Sequence, residues 1–222
     1  MALADSRKRK FGESIRDDMN MIIILGDDTV TVEIGEPDRV FGPSVFKVHP
    51  QLLCKSLPYF DKAFNGSFKE AREKRIELTH ESPVGFGYIM RWLYTGSVDC
   101  NPPNSSATLF TLCRLWVAAD RYCAPWLQNQ IADTIIDAES TPPLDDVRYV
   151  YNSTTSDMPL RTLIVDLAAW RRTGKFFDKI NELPTAAIGD LCGAWKSRFL
   201  GFGKGEAEAP WKTDRTRYHV KF

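Results

Sequence analysis

Hydrophobic and polar positions alternate along the first part of the chain and then recur at helical spacing. Val30, Val32 and Ile34 alternate with Thr29, Thr31 and Glu33, the two-residue period of a strand with one buried face. Upstream lies the apolar run Met21-Ile22-Ile23-Ile24-Leu25, closed by Gly26-Asp27-Asp28. Gly35-Glu36-Pro37-Asp38 reads as a turn. Phe46 and Val48 then share one side of a second short strand, so a hairpin with a long loop is expected. Pro50 suits the first position of a helix, where the N–H it lacks would have no partner anyway. Leu52, Leu53, Phe60 and Phe64 supply apolar anchors, and Asn65-Gly66-Ser67 breaks the pattern. Arg75-Ile76-Glu77-Leu78 alternates again as a third strand.

From there the period is helical. Phe86, Ile89, Met90 and Leu93 recur at steps of three and four, with Gly96 as a C-terminal stop. Asn101 to Ser106 reads as a loop. Leu109, Leu112, Trp116 and Ala119 mark the next helix, whose wet side carries Arg114, Asp120 and Arg121; Leu127, Ile131 and Ile135 mark another. Thr141-Pro142-Pro143 is the clearest punctuation and a candidate domain boundary. Leu160, Leu163, Ile164, Leu167 and Ala168 form the best amphipathic stripe. A weaker helical segment covers roughly Phe176 to Trp195, and the Gly- and charge-rich stretch from about Gly201 is expected to fray. Strands first and helices afterwards indicate an α+β fold, not alternating βαβ units.

Composition narrows the classes. The 222 residues allow one large domain, or one domain with a smaller helical annex. Lys plus Arg and Asp plus Glu balance at 29 each, so no net field draws the chain to nucleic acid or to an anionic membrane. The Met21–Leu25 run is far short of the roughly 20 apolar residues a membrane helix needs. The first 19 residues are polar and carry Arg7-Lys8-Arg9-Lys10, a solvated disordered terminus or an import signal, with no apolar segment of a secretory leader. A nuclear or cytosolic location is the expectation. Five separate cysteines fit a reducing compartment without a disulfide framework, and the sequons at Asn65, Asn104 and Asn152 then read as chance matches.

Catalytic patterns are absent from the sequence. His49, His80 and His219 are far apart, and no GxSxG, P-loop or HExxH occurs. Gly201-Phe202-Gly203-Lys204-Gly205 mimics a phosphate loop, but no strand precedes it. His49 and Cys54 could open a zinc site that no CxxC or HxxxH completes, so no metal or other cofactor is expected. His49, between a strand end and a Pro-started helix, reads as a structural residue bonding backbone at that corner. Tyr59, Phe60, Phe64, Trp92 and Tyr94 are candidates for core or for interface.

Taken in order, Phe46-Lys47-Val48-His49, Leu52-Leu53-Cys54, Ser56-Leu57-Pro58-Tyr59-Phe60, Phe64-Asn65-Gly66-Ser67-Phe68-Lys69-Glu70, Ile76-Glu77-Leu78 and Met90-Arg91-Trp92-Leu93-Tyr94-Thr95-Gly96 resemble the BTB/POZ domain, and within it the short fungal proteins that carry little else. The resemblance covers about residues 25 to 138, and more loosely 147 to 170 as a helical extension. It implies a small three-stranded sheet flanked by a cluster of α-helices, arranged as a disordered basic N-terminus (1–19), a BTB/POZ domain (20–140), a C-terminal helical extension (144–197) and a flexible tail (198–222). It also implies two surfaces. Met21 to Leu25 is the candidate dimer interface, with another core strand as the alternative. Phe68-Lys69-Glu70 matches the hydrophobic-x-Glu pattern that family adaptors place after the small-residue turn to bind a cullin scaffold, and Tyr59 is grouped with it. Asp28 is a candidate for the acidic residue that the family carries near its first strand. The implied function is a non-catalytic protein-interaction module that forms homodimers and recruits partners, either as an adaptor of a cullin-type ubiquitin ligase or as a transcription co-regulator or scaffold. The kelch propeller or MATH sandwich with which adaptors capture substrate has no counterpart in the pattern, and direct nucleic-acid or membrane binding is not expected.

Overall fold

In a computed structural model, the residues described are 28–35, 44–98, 106–171, 174–201 and 208–221. The chain divides into two units, residues 1–99 and 100–222, each taken by itself below.

The first unit is built on three strands, β1 (Val30–Ile34), β2 (Ser44–Val48) and β3 (Arg75–Leu78), in the order β2-β1-β3. β1 runs antiparallel to β2, pairing Val32 with Phe46, and parallel to β3, pairing Val32 with Ile76. The alternation expected of β1 is realised: Val30, Val32 and Ile34 are buried and their neighbours half-exposed. A one-residue slip would turn all three to solvent, so the pattern fixes the register. The antiparallel β1–β2 pair is present as expected, while residues 36–43 of its connection lie outside the described residues.

Helices α1 (Pro50–Ser56), α2 (Pro58–Asn65), α3 (Lys69–Glu73) and α4 (Pro83–Thr95) complete this unit. The sequence pattern shows one helical run from Pro50 to Phe64; the structure breaks it. Leu57 is extended (φ −129°, ψ 93°) because the Pro58 ring disfavours helical backbone in the residue before it. The break lets Leu57 and Phe60 both be fully buried. Phe86 of α4 meets Phe46 edge-on at 5.1 Å and Phe60 at 6.2 Å, joining helices to sheet. Each such side chain taken from water contributes about 1.5–3 kcal/mol. α4 is capped by Ser82, whose Oγ accepts from the Gly85 N–H. It stops at Gly96, as expected, with a left-handed φ of 66° that favours glycine.

His49 does hold the corner between β2 and α1, but through a side chain and not through backbone. Its Nδ1 lies 2.8 Å from the Tyr94 hydroxyl, which also accepts the His49 backbone N–H at 3.2 Å.

The second unit is helical: α5 (Ser106–Arg121), α6 (Pro125–Asp137), α7 (Leu144–Ser153), α8 (Pro159–Arg171), a 3-10 segment (Gly174–Glu182), α9 (Thr185–Gly201), α10 (Pro210–Thr213) and a short 3-10 turn (Thr216–Tyr218). The expected stripes of α5 and α6 are buried, and Arg114, Asp120 and Arg121 face solvent. α8 departs from the amphipathic reading. Val165, Asp166 and Ala169 are buried along with the stripe, so neighbours surround most of the helix. The weak helical segment from Phe176 resolves into a 3-10 stretch followed by α9, which continues to Gly201. Residues 198–201 belong to α9, and in the part described beyond it Trp211 and Tyr218 are buried. Trp211 meets the Trp170 ring at 6.4 Å, and Arg171 lies 4.8 Å over it. Among the described residues no helix is long and apolar enough to cross a membrane.

Candidate partner-binding site

α2 ends in the small-residue turn Asn65-Gly66-Ser67, after which Phe68 takes the N-cap position of α3 with extended backbone (φ −78°, ψ 167°). Gly66 is required there by close approach. A Cβ on it would sit 2.4 Å from the Lys62 carbonyl oxygen and 3.1 Å from Cδ2 of Phe68. Asn65 donates to Asp61 Oδ1 at 2.8 Å across the last turn of α2. Phe68 is thrown outward, 59% exposed, and Glu70 lies half-buried in the first turn of α3, where a carboxylate complements the helix dipole.

The far end of α3 is tied to the sheet. Lys74 closes the helix in a left-handed conformation (φ 50°), its N–H donating to the Glu70 carbonyl. Its own carbonyl accepts from the Thr31 N–H at 2.9 Å, and its Nζ pairs with Asp28 at 2.8 Å. Arg75 next to it bridges Glu33 (2.8 Å) and Glu77 (3.1 Å). Phe68 and Glu70 are therefore carried by a short helix fixed to β1 by backbone, a rigid presentation for an exposed apolar group.

The candidate aromatics divide. Phe60, Phe64 and Trp92 are buried, while Tyr59 is 38% exposed with its ring edge-on to Phe60 at 5.2 Å. Tyr94 is half-buried and bonded to His49. Val45 and Val84 are also strongly exposed. The sequence pattern did not single them out, because an isolated valine in a strand or a first helical turn gives no sign of which side will stay uncovered. The candidate dimer segment Met21 to Leu25 lies outside the described residues, as do the basic run Arg7 to Lys10 and the Phe202–Gly205 part of the glycine-rich stretch.

The two groups that the sequence offered as a start of a metal site, His49 and Cys54, each have a bonding partner. Cys54 donates weakly to the Phe60 carbonyl (3.7 Å), and burial, reinforced by Asp61, pushes its thiol up, away from the reactive thiolate. Among the described residues no cluster of three or more His, Cys, Asp or Glu is arranged to hold a metal ion.

Comparison with known proteins adds to this geometry. Residues 29–138 match the BTB/POZ domain family. The chain is similar to Kelch-like protein 30 of Homo sapiens, 33% identical over 100 residues, which is 45% of this chain and 17% of that protein. It is similar to Kelch-like protein 38 of Rattus norvegicus (29% over 89 residues, 38% and 15%) and to Kelch-like protein 36 of Bos taurus (29% over 87 residues, 38% and 14%). The chain thus spans less than a fifth of the length of these relatives. With a small mixed three-stranded sheet, the helices packed on it and the family match, this chain carries a BTB/POZ domain over residues 29–138.

Proposed function

We propose that the chain is a non-catalytic protein-interaction module that self-associates and recruits partner proteins, and that Phe68, Glu70 and Tyr59 contact a cullin-type scaffold. The observation that carries this reading is the exposure of Phe68 beside a carboxylate on a helix anchored to the sheet. A ring more than half in solvent adds little to the fold, whereas desolvated at an interface it is the type of anchor that dominates binding energy, about 2 kcal/mol or more. Glu70 alongside would supply the orienting polar contact. The non-catalytic reading is supported by the engagement of His49 with Tyr94 and the raised Cys54 thiol. Self-association is carried over from the family resemblance, with Met21 to Leu25 as the segment assigned to it.

Co-precipitation with a cullin scaffold, abolished by the double substitution Phe68→Ala, Glu70→Ala, is the expected result. Recovery unchanged by the double substitution, or none from the wild type, would leave the scaffold or transcription co-regulator role in its place. For self-association, light scattering across micromolar concentrations should give a dimer mass; a monomer throughout would overturn it.

A further inference from the structure

Residues 214–220 lie along a helix face of the second unit in the way a bound peptide lies in a groove. Asn129, Asp133 and Asp137 follow one another at four-residue spacing on α6 and so share a face. Asn129 grips the backbone of Val220 from both sides: its Oδ1 accepts the Val220 N–H at 2.6 Å and its Nδ2 donates to the Val220 carbonyl at 3.1 Å. Asp133 meets His219 Nε2 at 3.1 Å, and Asp137 meets the Arg215 guanidinium at 2.8 Å. Between these contacts Tyr218 is fully buried, its hydroxyl donating to Asp166 of α8 at 2.7 Å, with Arg217 3.6 Å from the same carboxylate. Asp214 shapes the approach by accepting from the backbone N–H and hydroxyl of Thr216, and His219 is extended (φ −92°, ψ 142°).

Such contacts read main chain at Val220, a ring nitrogen at His219, charge at Arg215 and an aromatic anchor with a polar tip at Tyr218, the division of labour found where peptide segments are recognised. Helix-to-helix packing would not need the bidentate grip on one residue's backbone. We propose that the Asn129–Asp133–Asp137 face and the Asp166 pocket form a docking groove for a basic–aromatic segment that enters as a single 3-10 turn and leaves extended, occupied here by residues 215–220, and that the same segment of a second copy of this chain is its partner in trans. The second copy is the fitting partner because the complementarity to its sequence is visible contact by contact. This reading is independent of the role proposed for Phe68 and Glu70. The covalently attached segment competes at a high effective concentration, so exchange is weak until the resident is loosened.

The test mixes two full-length variants. One, fluorescently labelled, carries Asn129→Ala and Asp133→Ala, which spoils the groove and keeps the segment. The other carries Arg215→Ala and His219→Ala, which loosens the segment and keeps the groove. The labelled chain should gain anisotropy on mixing at concentrations where two groove-spoiled copies show about tenfold weaker association or none. A labelled peptide of residues 208–221 should likewise bind the Arg215→Ala, His219→Ala chain about tenfold more tightly than the wild type. No peptide binding to a loosened chain whose circular dichroism is that of the folded protein, or peptide binding no tighter than to the wild type, overturns the proposal, and this readout is separate from any dimer formed through Met21 to Leu25. Should the doubly substituted chain fail to fold, His219→Ala alone takes its place: tighter peptide binding than to the wild type upholds the groove, and binding no tighter than to the wild type overturns it.

Discussion

Removing the Tyr218 hydroxyl by Tyr218→Phe isolates one buried interaction. The ring keeps its packing, and what is lost is a 2.7 Å bond to the carboxylate of Asp166, which is itself only 6% exposed. A hydrogen bond to a charged group contributes about 1.5–3 kcal/mol, and a buried acceptor left without its donor adds its own desolvation. Arg217 remains 3.6 Å away and offsets part of this. The expected loss at neutral pH is therefore about 2 kcal/mol. The pH dependence carries the sharper expectation. Burial raises the Asp166 carboxyl above the ordinary carboxylate range, while the Tyr218 bond and Arg217 pull it back down. Without the hydroxyl the folded-state value climbs further, so the variant binds a proton at a pH where the wild type does not. A group raised in the folded state gives a contribution that is full at low pH and lost as pH rises through that value. The difference between variant and wild type should thus be largest at neutral pH and shrink on acidification towards the carboxylate range. Urea melts followed by circular dichroism at several pH values, with midpoints compared at equal slope, measure it. A difference below about 0.5 kcal/mol at neutral pH, or one that grows on acidification, would refute the reasoning.

Gly66→Ala should cost about 1–3 kcal/mol, read as a lower thermal midpoint, because its Cβ would press to 2.4 Å from the Lys62 carbonyl and force the end of α2 to move. Tyr94→Phe removes the hydroxyl that serves both His49 Nδ1 and the His49 N–H, and should destabilise by about 1–2 kcal/mol in a denaturant melt; a neutral outcome would remove His49 from its role at the corner. Thiol labelling should be ordered: exposed Cys123 and Cys192 react first, Cys54 more slowly, and fully buried Cys113, whose thiol burial pushes well up, only on unfolding.

Much of the first unit was legible from local rules. The alternation of Val30, Val32 and Ile34, the stop at Gly96 and the stripe of α4 each depend on a few neighbouring residues, and the structure honours them. The break at Leu57 was also written locally, in Pro58, but the apolar spacing of Leu53 and Phe60 masked it. α3 has five residues and no buried side chain, so periodicity had nothing to register. Long-range pairing was the larger gap. Residues 208–221 are polar and charged in sequence, yet Tyr218 finds Asp166 52 positions away and Asn129 holds Val220 91 positions away. No local composition rule can see a partner that distant. The same pairing accounts for Asp166, a carboxylate inside a helix that is buried over most of its surface. Of the candidate site, Phe68 and Glu70 were readable as a short pattern after a small-residue turn, and their outward and half-buried settings came only with the fold.

Whether the exposed Phe68 and its neighbour Glu70 form a binding anchor is measured most directly by calorimetric titration of a purified cullin scaffold into the wild-type chain and into the Phe68→Ala, Glu70→Ala variant, each first checked for an unchanged thermal midpoint. The wild type should bind, and the variant should bind at least about tenfold more weakly, matching the loss of one desolvated aromatic anchor. Equal affinities, or no heat of binding with the wild type, would contradict it.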